Sequence, residues 1–122
     1  MIARKSPSGP TIVLPSAVDT VQDGNSGADI TIDWSEGPNH AVTLTAANVV
    51  IRQEGLPVGE TAELTLKVTQ DATGNRHAAF ADAVTPGGSG ITLSTAANKT
   101  DLLDLHWDGH VLLVTVRGLA FA

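Results

Sequence analysis

From Glu63 to Thr69 the chain alternates without a break: Leu64, Leu66 and Val68 are apolar, while Glu63, Thr65, Lys67 and Thr69 are polar. Successive side chains of a strand point to opposite faces, so this pattern predicts a strand with one buried and one wet side. The same period recurs at Ile30, Ile32 and Trp34, and again at Val42 and Leu44. Shorter strands are expected at 48–52, 77–80 and 91–93. Turn-rich stretches separate them at 35–40 (SEGPNH), 54–59 (EGLPVG), 70–76 (QDATGNR) and 85–90 (TPGGSG). The 14 Thr and 12 Val of the 122 residues supply branched side chains that pack well on a pleated surface. No helical stripe competes, since the Ala-containing stretch 43–48 is too short.

The C-terminal part reads as a hairpin. Asp108-Gly109 is a favoured pair for a two-residue turn, which pairs Trp107 with His110 and His106 with Val111. Leu103, Leu105 and Trp107 lead in; Leu112, Val114 and Val116 lead out. The companion positions Leu102, Val111 and Leu113 are apolar as well, so both faces are expected to be at least partly covered, either because the hairpin is a central strand pair or because it lies in a subunit interface. Residues 77–80 are expected to return antiparallel on the strand at 63–69. The predicted fold is all-β, an antiparallel β-sandwich or jelly-roll-like body of about eight short strands over residues 30–122.

Residues 1–29 read as an extended N-terminal docking arm. Pro7, Pro10 and Pro15 each lack a backbone donor, which bars a central strand. The apolar run Thr11, Ile12, Val13 and Leu14 is too greasy for a free tail, and 22–28 (QDGNSGA) is expected to be a flexible loop. The run is expected either to add a strand to a partner or to lie across its own domain as an edge strand, with Arg4 and Lys5 either pinning the tip to an acidic neighbour or keeping it solvated.

Charge and chemistry narrow the function classes. The net charge is −6, and no Lys or Arg occurs between Ser6 and Ile51. Nucleic-acid binding needs a basic patch that neutralises phosphates, so it is not expected. No apolar run approaches the roughly 20 residues of a membrane span, and no signal-peptide stretch follows Arg4 and Lys5. The absence of Cys excludes disulfides, thiolate metal sites and a cysteine nucleophile. His106 and His110 are expected to point apart across the hairpin, and His40 and His77 carry no ligand spacing, so no metal is expected. Alternation puts Asp101 beside Leu103 but Asp104 beside Leu102 and His106. The two carboxylates therefore diverge and make no acid–base pair. Asp71 and Asp108 are expected to serve turn geometry, and Trp34 and Trp107 to pack in the core. No catalytic residue and no cofactor is expected.

Several blocks read in order carry a resemblance: Asp33-Trp34-Ser35 with Gly37; Val42-Thr43-Leu44-Thr45; Leu64, Leu66 and Val68 running into Gln70-Asp71-Ala72-Thr73-Gly74, with Arg76; Thr95-Ala96-Ala97-Asn98-Lys99-Thr100-Asp101; Asp108-Gly109; and Gly118 with Phe121. Over roughly residues 30–122 the chain resembles a small β-structured domain of bacteriophage virion proteins. Such domains occur in tail-fibre and other appendage chains and as short free-standing structural proteins. Where that pattern carries tryptophans after the Gln-Asp turn and before the Gly-rich loop, this chain has Phe80 and Val84-Thr85.

The resemblance implies a non-enzymatic virion part, commonly a homotrimer, assembled in the host cytoplasm. Two roles follow. One is a capsid decoration (cement) protein whose arm grips the major capsid protein or another virion protein. The alternative is a tail-fibre or head-fibre adhesin module whose loops at 35–40 and 85–90 bind a host surface receptor or glycan. In either role Leu102, Val111 and Leu113 are the expected oligomer contacts.

Overall fold

A computed structural model of the chain describes residues 2–5, 11–14, 19–88 and 90–121; for the first two segments it describes the backbone alone. There β1 (Ile2–Lys5) pairs antiparallel with β2 (Thr11–Leu14), matching Ile2 to Leu14 and Lys5 to Thr11 in a two-stranded sheet. The side chains of Arg4, Lys5, Thr11, Ile12, Val13 and Leu14, on which arm docking rests, lie outside the described residues.

The rest of the chain is all-β and sandwich-like. It winds back and forth between two layers. β3 (Val21–Asn25), β5 (Asn39–Leu44) and β7 (Ala62–Gln70) lie in a six-stranded sheet of order β3-β5-β7-β10-β11-β9. β4 (Asp29–Asp33), β6 (Asn48–Glu54) and β8 (His77–Phe80) form a three-stranded sheet in that order. Three successive coils therefore each lay one strand in each layer. Val21–Asn25, within the segment read from sequence as arm and loop, is the edge strand of the larger sheet.

This winding makes the pairings β3-β5, β5-β7, β4-β6 and β6-β8 parallel, where sequence reasoning expected antiparallel neighbours throughout. His77–Phe80 in particular does not fold back on β7. It crosses to the other layer and pairs parallel with β6, Asn48 facing His77 and Ile51 facing Phe80. The cause is local. Corners of several residues with their own hydrogen bonds arch across the sandwich, whereas a tight hairpin turn would return the strand within one sheet. At the first corner the Ser26 hydroxyl accepts from the Thr45 amide at 3.1 Å, and the Gly27 amide donates to Thr45 Oγ1 at 2.8 Å. The first corner is thus stacked on the second.

β10 (Thr100–Trp107) and β11 (Leu112–Phe121) close the larger sheet in antiparallel pairing, and β9 (Ala83–Val84) pairs parallel with the start of β11. Trp107 faces Leu112 and His106 faces Leu113, two residues beyond the expected register. The turn is longer than two residues because Asp108 Oδ1 accepts from the amides of both His110 and Val111 at 2.8 Å. Val111 consequently lies in the loop rather than in the strand.

Alternation decides the core. Leu64, Leu66 and Val68 of β7, Leu103 and Leu105 of β10, and Leu112 and Val114 of β11 point inward against Ile32, Val49 and Ile51 of the smaller sheet. Fully burying one such side chain contributes roughly 1.5–3 kcal/mol. Trp34 belongs to this core, as alternation predicted. Trp107 packs at its margin and donates Nε1–H to the Pro57 carbonyl at 2.6 Å.

Candidate functional site

The inward register of β7, β10 and β11 fixes what their outer faces present. His106 stands beside Glu63, Asp104 lies between Thr65 and Thr115, and Leu102 lies beside Lys67. Arg117 grips Asp104 with both forks, Nε to Oδ2 at 2.9 Å and Nη2 to Oδ1 at 2.6 Å, and His106 Nδ1 contacts the Glu63 carboxylate. Both pairs are substantially exposed, and such surface pairs contribute about 0–1 kcal/mol. Their role is to define a charged strip rather than to stabilise the sheet.

Of the residues expected to form an oligomer contact, Leu113 (39 % exposed) is on this outer face and Val111 (42 % exposed) is in the adjoining loop. Leu102 is half-buried and shares a shallow apolar depression of about 340 Å³ with Lys67, Thr100 and Phe121. Phe121 and Leu119, both exposed, were not read from sequence as contact residues, because the strict period lapses after Val116; Val116 itself, which alternation put in phase with the buried Leu112 and Val114, is exposed.

The two loops singled out from sequence differ in what they offer. In 35–40, Asp33 fixes the entry by accepting from the Ser35 amide at 3.0 Å and the Ser35 hydroxyl at 2.6 Å. These bonds hold the Asp33 carboxyl below the usual aspartate range. Trp34 and His40 turn inward, edge to face at 4.7 Å, leaving Ser35, Glu36 and Pro38 exposed. Behind them His40 Nδ1 meets Asp23 Oδ2 at 2.8 Å and Nε2 meets the Gly37 carbonyl at 3.0 Å. The carboxylates of Asp23 and Glu36 and a ring nitrogen of His40 all lie within 4.8 Å of one another.

The loop at 85–90 closes on itself. The Gly90 amide donates to Thr85 Oγ1 at 2.8 Å and the Gly88 amide to the Thr85 carbonyl at 2.9 Å; Ser89 lies outside the described residues. With β8 it borders a cavity of about 410 Å³ lined by Ala78, Ala79, Phe80, Ala83, Thr85 and Ile91, together with backbone at Gly88 and Gly90. Among the described residues, small apolar walls, backbone polar groups and the Thr85 hydroxyl make a surface that can receive a compact ligand edge.

Three further carboxylates, those of Asp101, Asp71 and Asp108, are engaged in holding backbone. Asp101 is buried; its Oδ2 accepts from the Ser94 amide at 2.6 Å and its Oδ1 from the Ala120 amide at 2.8 Å. Asp104 lies on the opposite face, so the pair diverges as alternation predicted. Asp71 accepts from the amides of Thr73 and Gly74 and pairs with Arg76 at 3.0 Å, the Arg76 contact foremost in lowering its pKa. Asp108 is lowered chiefly by the Val111 and His110 amides.

A family model described as "Putative phage tail fibre C-terminal domain" matches residues 36–111, well over half of the chain. No curated protein matches the sequence. No solved structure matches it either.

Proposed function

From the premise that this chain belongs to the phage tail fibre C-terminal domain family, and so is a virion-associated phage structural protein, we propose that it acts as a host-binding fibre module. Its exposed loops would recognise a host surface receptor or glycan. The observation that carries the reading is the family match spanning residues 36–111, which takes in residues 36–40 of the first loop and the cavity beside 85–90. A family described by tail fibres favours this role over capsid decoration on the head lattice, the other role read from sequence. Recognition here is by shape and backbone polarity: the walls of Ala78, Ala79, Phe80 and Ile91 offer apolar contact, and Thr85 and the adjoining amides offer hydrogen bonds. The acidic balance of the chain, −6 overall, opposes non-specific clumping of assembled particles.

We further propose that the module works as a homotrimer, with Leu113 and Val111 in the contact between copies. A closed three-fold assembly would bury the apolar positions that each copy exposes along β11. It would also repeat the loop sites three times, so that weak single contacts add up by avidity.

The test is adsorption. Purified protein is labelled, incubated with host cells and washed, and the same cells are then challenged with phage. Cell-associated label together with blocked adsorption is the expected result. Protein that leaves cells unlabelled and adsorption intact, while its absence from particles alters the head surface seen by electron microscopy, would establish head decoration instead.

A further inference from the structure

We propose that Asp23, Glu36 and His40 form a binding site for one divalent transition ion of the zinc class, bridging β3 to the loop at 35–40. The argument begins with the imidazole. His40 is buried, its side chain wholly so, and its ring is wedged edge to face against Trp34. Nε2 lies 3.0 Å from the Gly37 carbonyl oxygen, which can only accept, so Nε2 carries a hydrogen. Nδ1 lies 2.8 Å from the Asp23 carboxylate, which when ionised also only accepts. A neutral ring has one donor nitrogen and cannot serve both. Something positive must stand between Nδ1 and Asp23, either a proton or a metal ion.

Glu36 decides between a site for a proton and a site for a metal. Its carboxylate lies close by, with one oxygen within 4.8 Å of both an Asp23 oxygen and a ring nitrogen of His40. Yet Glu36 is exposed, and it makes no hydrogen bond or ion pair with any of the described residues. Two carboxylates and one imidazole lone pair thus converge, an excess of negative charge that one proton leaves unbalanced. A divalent ion neutralises it. The donor set of one imidazole nitrogen and two carboxylate oxygens suits zinc and its neighbours, with water completing a tetrahedral shell. The Nε2–H bond to a backbone carbonyl is the arrangement that orients a ligating imidazole and raises its basicity.

The required movement is small. Tetrahedral ligands at about 2.0–2.2 Å from zinc lie roughly 3.3 Å from one another. Asp23 would therefore draw back from Nδ1 by about half an ångström, and Glu36, which nothing restrains, would swing in. The three residues come from β3, from the short 3-10 turn Trp34–Glu36 and from β5. An ion there clamps the entrance of the first exposed loop to the edge of the larger sheet. The proposal stands apart from the fibre reading, and neither depends on the other.

The chain, stripped of metal with a chelator and dialysed, is titrated with zinc chloride by calorimetry, with thermal melts in parallel. One zinc per chain and a raised melting temperature are expected. Glu36→Gln should not lower the metal-free melting temperature, because Glu36 makes no hydrogen bond or ion pair with the described residues, and should weaken zinc binding at least tenfold. Asp23→Asn should abolish the zinc-dependent rise in melting temperature. Absence of saturable binding would overturn the proposal. So would binding that survives Glu36→Gln at full strength, since the exposed His77, His106 or His110 would then be the ligands.

Discussion

Gln70 grips Arg76 from both sides: its Nε2 donates to the Arg76 carbonyl at 2.8 Å and its Oε1 accepts from the Arg76 amide at 2.9 Å. The same Nε2 donates to the Ser94 carbonyl at 2.9 Å. One buried amide thus satisfies three backbone groups where β7 ends and the chain crosses to the smaller sheet. Replacing it by Leu, similar in bulk, removes all three partners. Each backbone group left dry costs about 1–3 kcal/mol. Gln70→Leu is expected to lose at least about 2 kcal/mol in urea unfolding; a loss under half of that would mean that water reaches the corner.

The same corner depends on Gly74. Its φ is +72°, and a Cβ there would stand 2.8 Å from both the Ala97 amide nitrogen and the Thr95 carbonyl oxygen. Neither backbone atom can move without displacing the loop before β10. Gly90 has φ +86° but open space around its would-be Cβ. Gly74→Ala should therefore destabilise well beyond Gly90→Ala, whose cost is the strain of a left-handed alanine alone, about 1–3 kcal/mol. Melting temperatures of the two variants, side by side, check the order; equal losses would refute the close approach.

Asp71 makes the corner sensitive to acid. Arg76 first, then the Gly74 and Thr73 amides, hold its carboxyl below the ordinary 3.8. A carboxyl lowered on folding adds stability that is fully present above its unfolded pKa, about 3.9. That contribution fades as the pH falls through the lowered value. Asp33 and Asp108 act in the same direction. The melting temperatures of the parent and Asp71→Asn should differ most near neutral pH and converge below pH about 4. A gap that holds constant down to pH about 2 would contradict the lowered value.

Leu113 tests the proposed trimer. It is exposed on the outer face of β11, while its neighbours Leu112 and Val114 are fully buried. Leu113→Asp is therefore expected to keep the monomer's fold, read by circular dichroism, while lowering the native mass from three chains to one. A parent protein that runs as a monomer at micromolar concentration defeats the trimer directly.

Much of this molecule was legible in its residue pattern. Strict alternation at 63–69 marked β7 and named its buried face, because a strand's side chains have only two directions. The same rule separated Asp101 from Asp104. It also placed Trp34 in the core. The turn roles of Asp71 and Asp108 followed from the short reach of an aspartate to amides two and three residues on.

Which strands would be neighbours was not legible. Period two says which way a side chain points but not which edge of the backbone finds which partner. The corners at 26–28, 45–47 and 71–76 have different lengths and sequences, so the three coils leave no repeat to recognise. Asp23, Glu36 and His40 lie on separate segments with no ligand spacing. Only the parallel stacking of β3 on β5 brings Asp23 to His40, since Val21 pairs with His40 and the strand then runs alongside. Local side-chain chemistry determined the elements and their faces. Long-range backbone pairing, invisible in a linear pattern, decided the winding and the clusters it assembles.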